Sequence, residues 1–367
     1  MIIIICKLFF VIFCFPKHIV TFKFYRIIKL STALLLVAGI IFQTACRPQA
    51  QQAAKPFVVY ERAGHQYPVT LNGSLGSVTL QKAPERVVVL GAGTVDLVVA
   101  LGIQPVAMEA NLWGGDENGY MPWFKEFMAE QKRPLPPTVV MYPELDAEKL
   151  VSFNPDLIIA TQSGLSEENY RLLSGFAPVI AHPHKPWMTT VDEQIGIIAA
   201  AFGKQKQAAA LKAQIGAEYA DFRRRHPKLQ GKTFAYIYSG ARSPQLSVYA
   251  EGEPRVDALY GLGLKMSPDL VKMSVDEGSW SVALGLENAD KLNQSDIVIT
   301  WFFSEEDQKM VEARPLFREI KAVKRGTYLP LLDREVNAAM YQATPQSLRW
   351  GLRRLEADWT RIENALD

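Results

Sequence analysis

One stretch constrains this 367-residue chain more than any other. "TTVDEQIGIIAAAFGKQKQAAALKAQIGAEYADFRRR" runs from Thr189 to Arg225 without a proline. Thr190 followed three residues later by Glu193 fits a capping box. Gly203 fits the end of one helix, and a second helix is predicted from about Gln205 to Arg225. At the usual rise per residue that second helix spans roughly 30 Å, about the diameter of a small domain. A stiff element of that length separates what it joins. The chain therefore reads as two lobes held by an interlobe helix over 188–226, with little lobe motion expected on binding.

The flanking segments have one character. On the first side, "RVVVLG", "QPVAME", "PDLIIAT" and "APVIA" are short apolar runs. Between them lie the helical patterns "AGTVDLVVALG", "DAEKLVSF" and "SEENYRLLSGF". Strands alternating with helices predict a mostly parallel sheet between helical layers. "HQYPVTLNGSLGSVTLQK" precedes them as a hairpin around "NGS". On the second side, "KTFAYIYS", "PQLSVYA", "ENADKLNQ", "DIVITWFF" and "GTYLPL" supply another set. A long amphipathic helix starting near Pro345 is predicted to close the chain. The fold class is α/β: two Rossmann-like lobes with mostly parallel sheets joined by a long rigid helix. The first lobe is placed at 57–187 and the second at 227–367.

The N-terminal region stands apart. Residues 1–46 hold all three cysteines (Cys6, Cys14, Cys46), five basic residues and no acidic ones. Of 40 basic and 38 acidic residues in the chain, the remainder keeps 35 and 38. A slightly acidic body argues against nucleic acid, which asks for clustered positive charge. Lys23, Arg26 and Lys29 precede the apolar "LLLVAGIIF", which is short for a bilayer span. Ala45 precedes Cys46. This resembles a bacterial lipoprotein signal, with cleavage before Cys46 and lipid on its sulfur. Gln43 departs from that pattern, which usually has Leu there. "MIIIICKLFFVIFCF" is a second apolar stretch: either translation starts near Val20 or Leu30, or the segment is an extra leader. Residues 1–45 are set aside as leader, and 46–56 ("CRPQAQQAAKP") read as a flexible tether.

The body resembles the helix-linked (class III) substrate-binding proteins of bacterial ABC importers, iron–siderophore branch. The matching stretches are "APERVVVLGAGTVDLVVALGIQPVAM", "LDAEKLVSFNPDLIIATQSGLSEENYRLLSGFAPVI", "EQIGIIAAAFGK" and "LGLENADKLNQSDIVITWF". Their order, spacing and coverage carry the resemblance. It implies an exported, membrane-tethered, monomeric binding protein. Such a protein captures an Fe(III)–siderophore chelate between its lobes and delivers it to an ABC permease dimer, with no cofactor and no catalysis. "DAEKLVSFNPDLIIA" and "LENADKLNQSDIVIT" share one pattern, in which a Glu opens a short helix leading through Pro-Asp or Ser-Asp into a buried strand. The resemblance implies that Glu148 and Glu287 dock on permease arginines, where a carboxylate in a guanidinium fork is a well-defined contact. Alone, each is an ordinary first-turn glutamate favoured by the helix dipole.

Ligands in such folds sit beyond the carboxyl ends of the strands. Candidates there are Trp113, Tyr142, Ser163 with its neighbours Thr161 and Gln162, Tyr238, Ser239, Arg242, Trp280, Trp301, Phe303 and Tyr341. The resemblance puts Trp280 and an aromatic near Tyr341 in the pocket lining. Indole and phenol rings cover a partly apolar chelate, and hydroxyls and arginine orient it. A triply anionic chelate would ask Arg242, Arg255 and Lys185 to converge.

Other readings remain open. Haem or cobalamin would suit the same aromatic cleft. "AHPHKP" suggests a bare-ion receptor through His182 and His184, although a closed metal site wants about three or four ligands. "VVVLGAGTVD" imitates a dinucleotide fingerprint with Gly91 and Gly93. Asp96 occupies the third glycine's place, and Glu109 stands where a ribose-binding acid would fall. No hydrolase elbow, zinc-protease or P-loop motif occurs.

Overall fold

The computed structural model describes residues 67–91, 93–240, 243–273 and 279–366. The leader, the tether, Cys46 and Arg242 lie outside them. The described chain opens on the expected hairpin, β1 (Val69–Asn72) and β2 (Ser77–Leu80), which pair antiparallel.

Next come β3 (Val87–Gly91), α1 (Thr94–Ala100), β4 (Ala107–Glu109), α2 (Pro122–Glu130), β5 (Thr138–Val139), α3 (Ala147–Ser152), β6 (Leu157–Gln162), α4 (Glu167–Ser174) and β7 (Val179–Ala181). The strands form an all-parallel sheet in the order β5-β4-β3-β6-β7. Both faces are covered. In β3, Val87 and Val89 join one apolar cluster and Val88 and Leu90 another; in β6, Leu157 and Ile159 divide from Ile158 and Ala160 in the same way. Period-2 side chains on a doubly covered sheet must all be apolar, which is why these strands read as continuous runs.

The interlobe segment is α5 (Val191–Phe202) and α6 (Gln205–Arg225). Thr190 caps α5 with its hydroxyl on the Glu193 N–H while Glu193 reaches back to Thr190, and Gly203 ends the helix in the left-handed region. Three arginines fill the last turn of α6, the favourable end of the dipole for cations.

The second lobe is built from β8 (Thr233–Gly240), β9 (Ser243–Tyr249), α7 (Pro254–Gly261), β10 (Lys265–Met266), α8 (Pro268–Val271), β11 (Ser281–Ala283), a 3-10 segment (Leu286–Gln294), β12 (Ile297–Trp301), α9 (Glu305–Glu312), α10 (Pro315–Arg318), α11 (Lys321–Arg325) and β13 (Tyr328–Leu331). The order β11-β9-β8-β12-β13, with β10 also on β8, makes a mixed sheet. β10, β12 and β13 run parallel to β8, whereas β9 and β11 are antiparallel in their pairings. Two residues separate β8 from β9, and so short a connection permits only a reversal.

The two lobes share a detail behind the repeated sequence pattern. Asp156 accepts from the backbone N–H groups of Glu85 (2.8 Å) and Arg86 (2.9 Å), just before β3. Asp296 accepts from the N–H (2.8 Å) and hydroxyl (2.9 Å) of Thr233 at the start of β8. Each aspartate ties the strand it opens to the neighbouring central strand.

The end of the chain differs from the expected single helix. It comprises α12 (Arg334–Gln342), α13 (Pro345–Arg354) and α14 (Glu356–Asn364), with a break at Leu355. The break lets the two last helices serve different lobes. α13 packs on α1, α2 and α6, with Trp350 5.3 Å from Trp123. α14 turns Trp359 onto Phe222 and contacts β13. Residues 227–367 therefore do not close into a lobe by themselves. Asp96 of α1 anchors the return: its carboxylate accepts from Trp123 Nε1 (2.8 Å) and Thr344 Oγ1 (2.6 Å), and burial lifts its pKa to about 6 despite those bonds.

Candidate functional site: an aromatic cleft between the lobes

Strand ends from the two lobes face one another, and four predicted residues meet there. Trp113 follows β4 in the first lobe and lies edge-on to Trp301, at the end of β12 in the second, with ring centroids 5.6 Å apart. Tyr238 of β8 stacks on Trp301 at 4.8 Å, and Phe303 packs edge-on at 4.7 Å. Trp301 Nε1 donates to the Tyr249 hydroxyl at 3.0 Å, which fixes the indole plane. Trp113 Nε1 is buried with no hydrogen-bond partner among the described residues. A buried donor without an acceptor is uncommon.

A second group gathers around Tyr341 of α12. Gln162, at the end of β6, donates to the Tyr341 hydroxyl at 3.0 Å and to the Trp187 carbonyl at 2.8 Å, while its oxygen accepts from Thr189 N–H at 2.8 Å. All three polar positions of one buried amide are thereby used across both lobes. The Arg255 guanidinium lies 4.6 Å from the Tyr341 ring centre and 5.0 Å from that of Tyr249. Its charge is committed to Glu253, the buried N-cap of α7, which also accepts from Arg255 N–H at 2.8 Å. Burial opposes the charged arginine, and the Glu253 carboxylate outweighs it, so the guanidinium stays charged.

Tyr142 is 38 % exposed, on the first-lobe rim, 5.8 Å from Trp187. Glu109 ends β4 beside it and accepts from Gly91 N–H at 2.6 Å. Burial raises its pKa to about 7, with the Gly91 bond pulling the other way. Burial and then the Glu109 charge push the Tyr142 phenol upward.

The glycines of the dinucleotide-like run thereby acquire another purpose. Gly91 has φ +105°, and a Cβ there would stand 2.5 Å from the Gln162 carbonyl oxygen. Gly93, at φ +76°, faces Gln342 and Thr344 of the returning chain. Glu109 binds the backbone of Gly91 instead of waiting for a ribose.

Other predicted residues are not brought in. Ser163 is fully buried, its hydroxyl donating to the Ala160 carbonyl (2.9 Å) and accepting from Leu165 N–H (3.3 Å); it turns its own chain and offers nothing to a ligand. Trp280 is 43 % exposed at the start of β11, and none of the ring contacts among the described residues involves it. Lys185 is exposed and Arg255 is paired, so the convergence asked of free cations is not met by these two. His182 Nδ1 meets Ser74 Oγ at 2.7 Å while His184 Nε2 meets Glu193 at 2.9 Å, so the histidines diverge. Among the described residues no group of three His, Cys, Asp or Glu side chains could hold a metal ion. Glu148 and Glu287 are both exposed, each the second residue of its helical segment. Gln162, a candidate by its place at the end of β6, does reach the centre of the site, whereas Trp187 is the structure's addition; it follows β7 and holds φ +64°.

Two α/β lobes, a helical strut and a cleft at the strand ends define a two-lobe binding protein. The family description "Periplasmic binding protein" matches residues 87–328, and the chain belongs to that family. It is a binding protein rather than an enzyme, and its family works outside the cytoplasm. Among curated proteins it is similar to the Fe(3+) dicitrate-binding periplasmic protein FecB of Escherichia coli, 24% identical over 266 residues, covering 71% of this chain and 81% of that one. Among solved structures it is similar to Streptococcus pneumoniae PiaA in complex with ferrichrome, with 28% identity, TM-score 0.72, and 81% of this chain against 98% of that one. Staphylococcus aureus SirA complexed with staphyloferrin B shares the fold at 18% identity and TM-score 0.61, covering 78% and 97%.

Proposed function

We propose that this protein captures a ferric siderophore in the interlobe cleft and hands it to an ABC permease, without a cofactor. The observation that carries the reading is the aromatic wall of Trp113, Tyr238, Trp301 and Phe303, contributed by both lobes, with an unpartnered indole N–H at its edge. A chelate with an apolar shell and outward oxygens matches that mixture. FecB and PiaA, whose names and ligands point to iron chelates, support it. Tyr142, Tyr341 and Arg255 belong to the same pocket in this reading; the expected contacts of Trp280 and Arg242, the latter outside the described residues, are left to the ligand titration to test. Glu148 and Glu287 are the permease contacts, the protein is a monomer, and lipid on Cys46 tethers it to the membrane.

Titration of the intrinsic tryptophan fluorescence tests the ligand class. A ferric tris-hydroxamate should quench it saturably at micromolar concentration or below. Quenching by haem or cobalamin with no response to any ferric chelate would overturn the reading.

A further inference from the structure

Resting on the iron-chelate reading, we infer that Glu109 selects ligands by charge, favouring chelates that are electrically neutral over those that carry peripheral negative charge. The carboxyl stands at the C-terminal end of β4, the strand end that leads to Trp113 and its contact with Trp301. One oxygen accepts from Gly91 N–H at 2.6 Å. No hydrogen bond or ion pair from the described residues reaches the other. Its surroundings are the phenols of Tyr142 on the first lobe and Tyr341 on the second, both of which feel its charge. Arg255, beside Tyr341 on the opposite wall, is already neutralised by Glu253. The described part of the site thus combines aromatic rings, one amide, phenols and, at the end of β4, one carboxyl with no cation beside it among the described residues.

The chemistry of ferric chelates divides on this point. Three hydroxamate monoanions balance Fe(III) and leave a neutral complex. Citrate and catecholate complexes keep negative charge on their outer oxygens. An outer carboxylate held about 6 Å from ionised Glu109 meets repulsion worth roughly ten- to a hundredfold in affinity at the effective dielectric of a protein surface. A neutral complex meets none, and an outward hydroxyl or amide N–H gains an acceptor. The raised pKa of Glu109 agrees with a carboxyl that has no cation beside it.

The test is Glu109→Gln, which keeps the shape and the acceptor for Gly91 while removing the charge. Affinities for a neutral ferric tris-hydroxamate and for ferric dicitrate are measured on the mature protein at pH 8 and pH 5.5. In the unsubstituted protein the hydroxamate is expected to win by more than tenfold at pH 8, with a smaller margin at pH 5.5, where Glu109 is protonated. The substitution should move the affinity ratio toward dicitrate about tenfold at pH 8 and little at pH 5.5. A ratio unmoved at pH 8, or moved equally at both pH values, overturns the inference while leaving iron-chelate binding in place. Failure of the unsubstituted protein to bind either chelate overturns both.

Discussion

Glu109 on the first wall of the cleft and Glu253 on the second are both removed from water, yet they are handled differently. Glu253 is buried, caps α7 and neutralises Arg255, whose guanidinium then lies over the rings of Tyr249 and Tyr341. Among the described residues Glu109 has one backbone N–H and no cation. The paired wall is a piece of architecture: charge is used to set rings in place, and it cancels. The unpaired wall keeps an electrostatic preference that a ligand can feel. A site can therefore be rigid on one side and selective on the other, because a compensated ion pair orients its neighbours while an uncompensated one repels or attracts what enters.

The sharpest way to break this contrast is Arg255→Ala. Removing one partner leaves the Glu253 carboxylate buried and unpaired, which should cost about 3–5 kcal/mol of stability in urea unfolding. A loss below about 1 kcal/mol would mean that the pair does not organise the second wall. On the first wall the sign reverses. The Glu109 pKa is raised from the ordinary carboxyl range to about 7, so the folded protein binds a proton more readily than the unfolded chain. Stability is then greatest below the unfolded pKa and falls as pH rises through 7. Glu109→Gln should remove that fall, raising stability at pH 8 by on the order of 1–2 kcal/mol and changing it little at pH 4. A variant equally or less stable than the parent at pH 8 would contradict the absence of a compensating cation.

The smallest effect on the isolated protein is expected from Glu148→Lys and Glu287→Lys. Both residues are exposed and distant in kind from either wall, so stability should stay within about 0.5 kcal/mol and ligand affinity should not change. Iron uptake by cells carrying the double variant should nevertheless collapse. A loss of ligand affinity instead would assign these glutamates to the pocket.

The legible parts of this protein were those with a local cause. The continuous apolar runs of β3 and β6, the capping box at Thr190 and the left-handed stop at Gly203 follow from neighbours a few residues apart. Trp113, Tyr238 and Trp301 were expected together because each is a large aromatic at or just after a strand end, and their rings do meet. Ser163 looked equally suitable by position, but its hydroxyl is consumed by Ala160 and Leu165, a satisfaction invisible without coordinates. The break at Leu355 was equally hidden: no proline or glycine stands at it, and it separates a helix whose Trp350 packs on Trp123 of the first lobe from one whose Trp359 packs on Phe222 of the interlobe helix.

By itself the sequence determined the class: two β/α arrays, a proline-free strut and aromatic strand ends leave few other architectures, because periodicity and caps act over short range. Only the tertiary structure decided which polar groups cancel. Arg255 and Glu253 are two residues apart and could have been read as a pair, whereas Gly91 with Glu109, Gln162 with Tyr341 and Asp96 with Thr344 are 18, 179 and 248 residues apart. Whether a carboxyl is solvated, paired or left to meet a ligand depends on what folding brings beside it. That is why Glu109, met in the sequence as an acid at a cofactor's spacing, became in the fold a carboxyl bound to the Gly91 backbone with no cation beside it among the described residues.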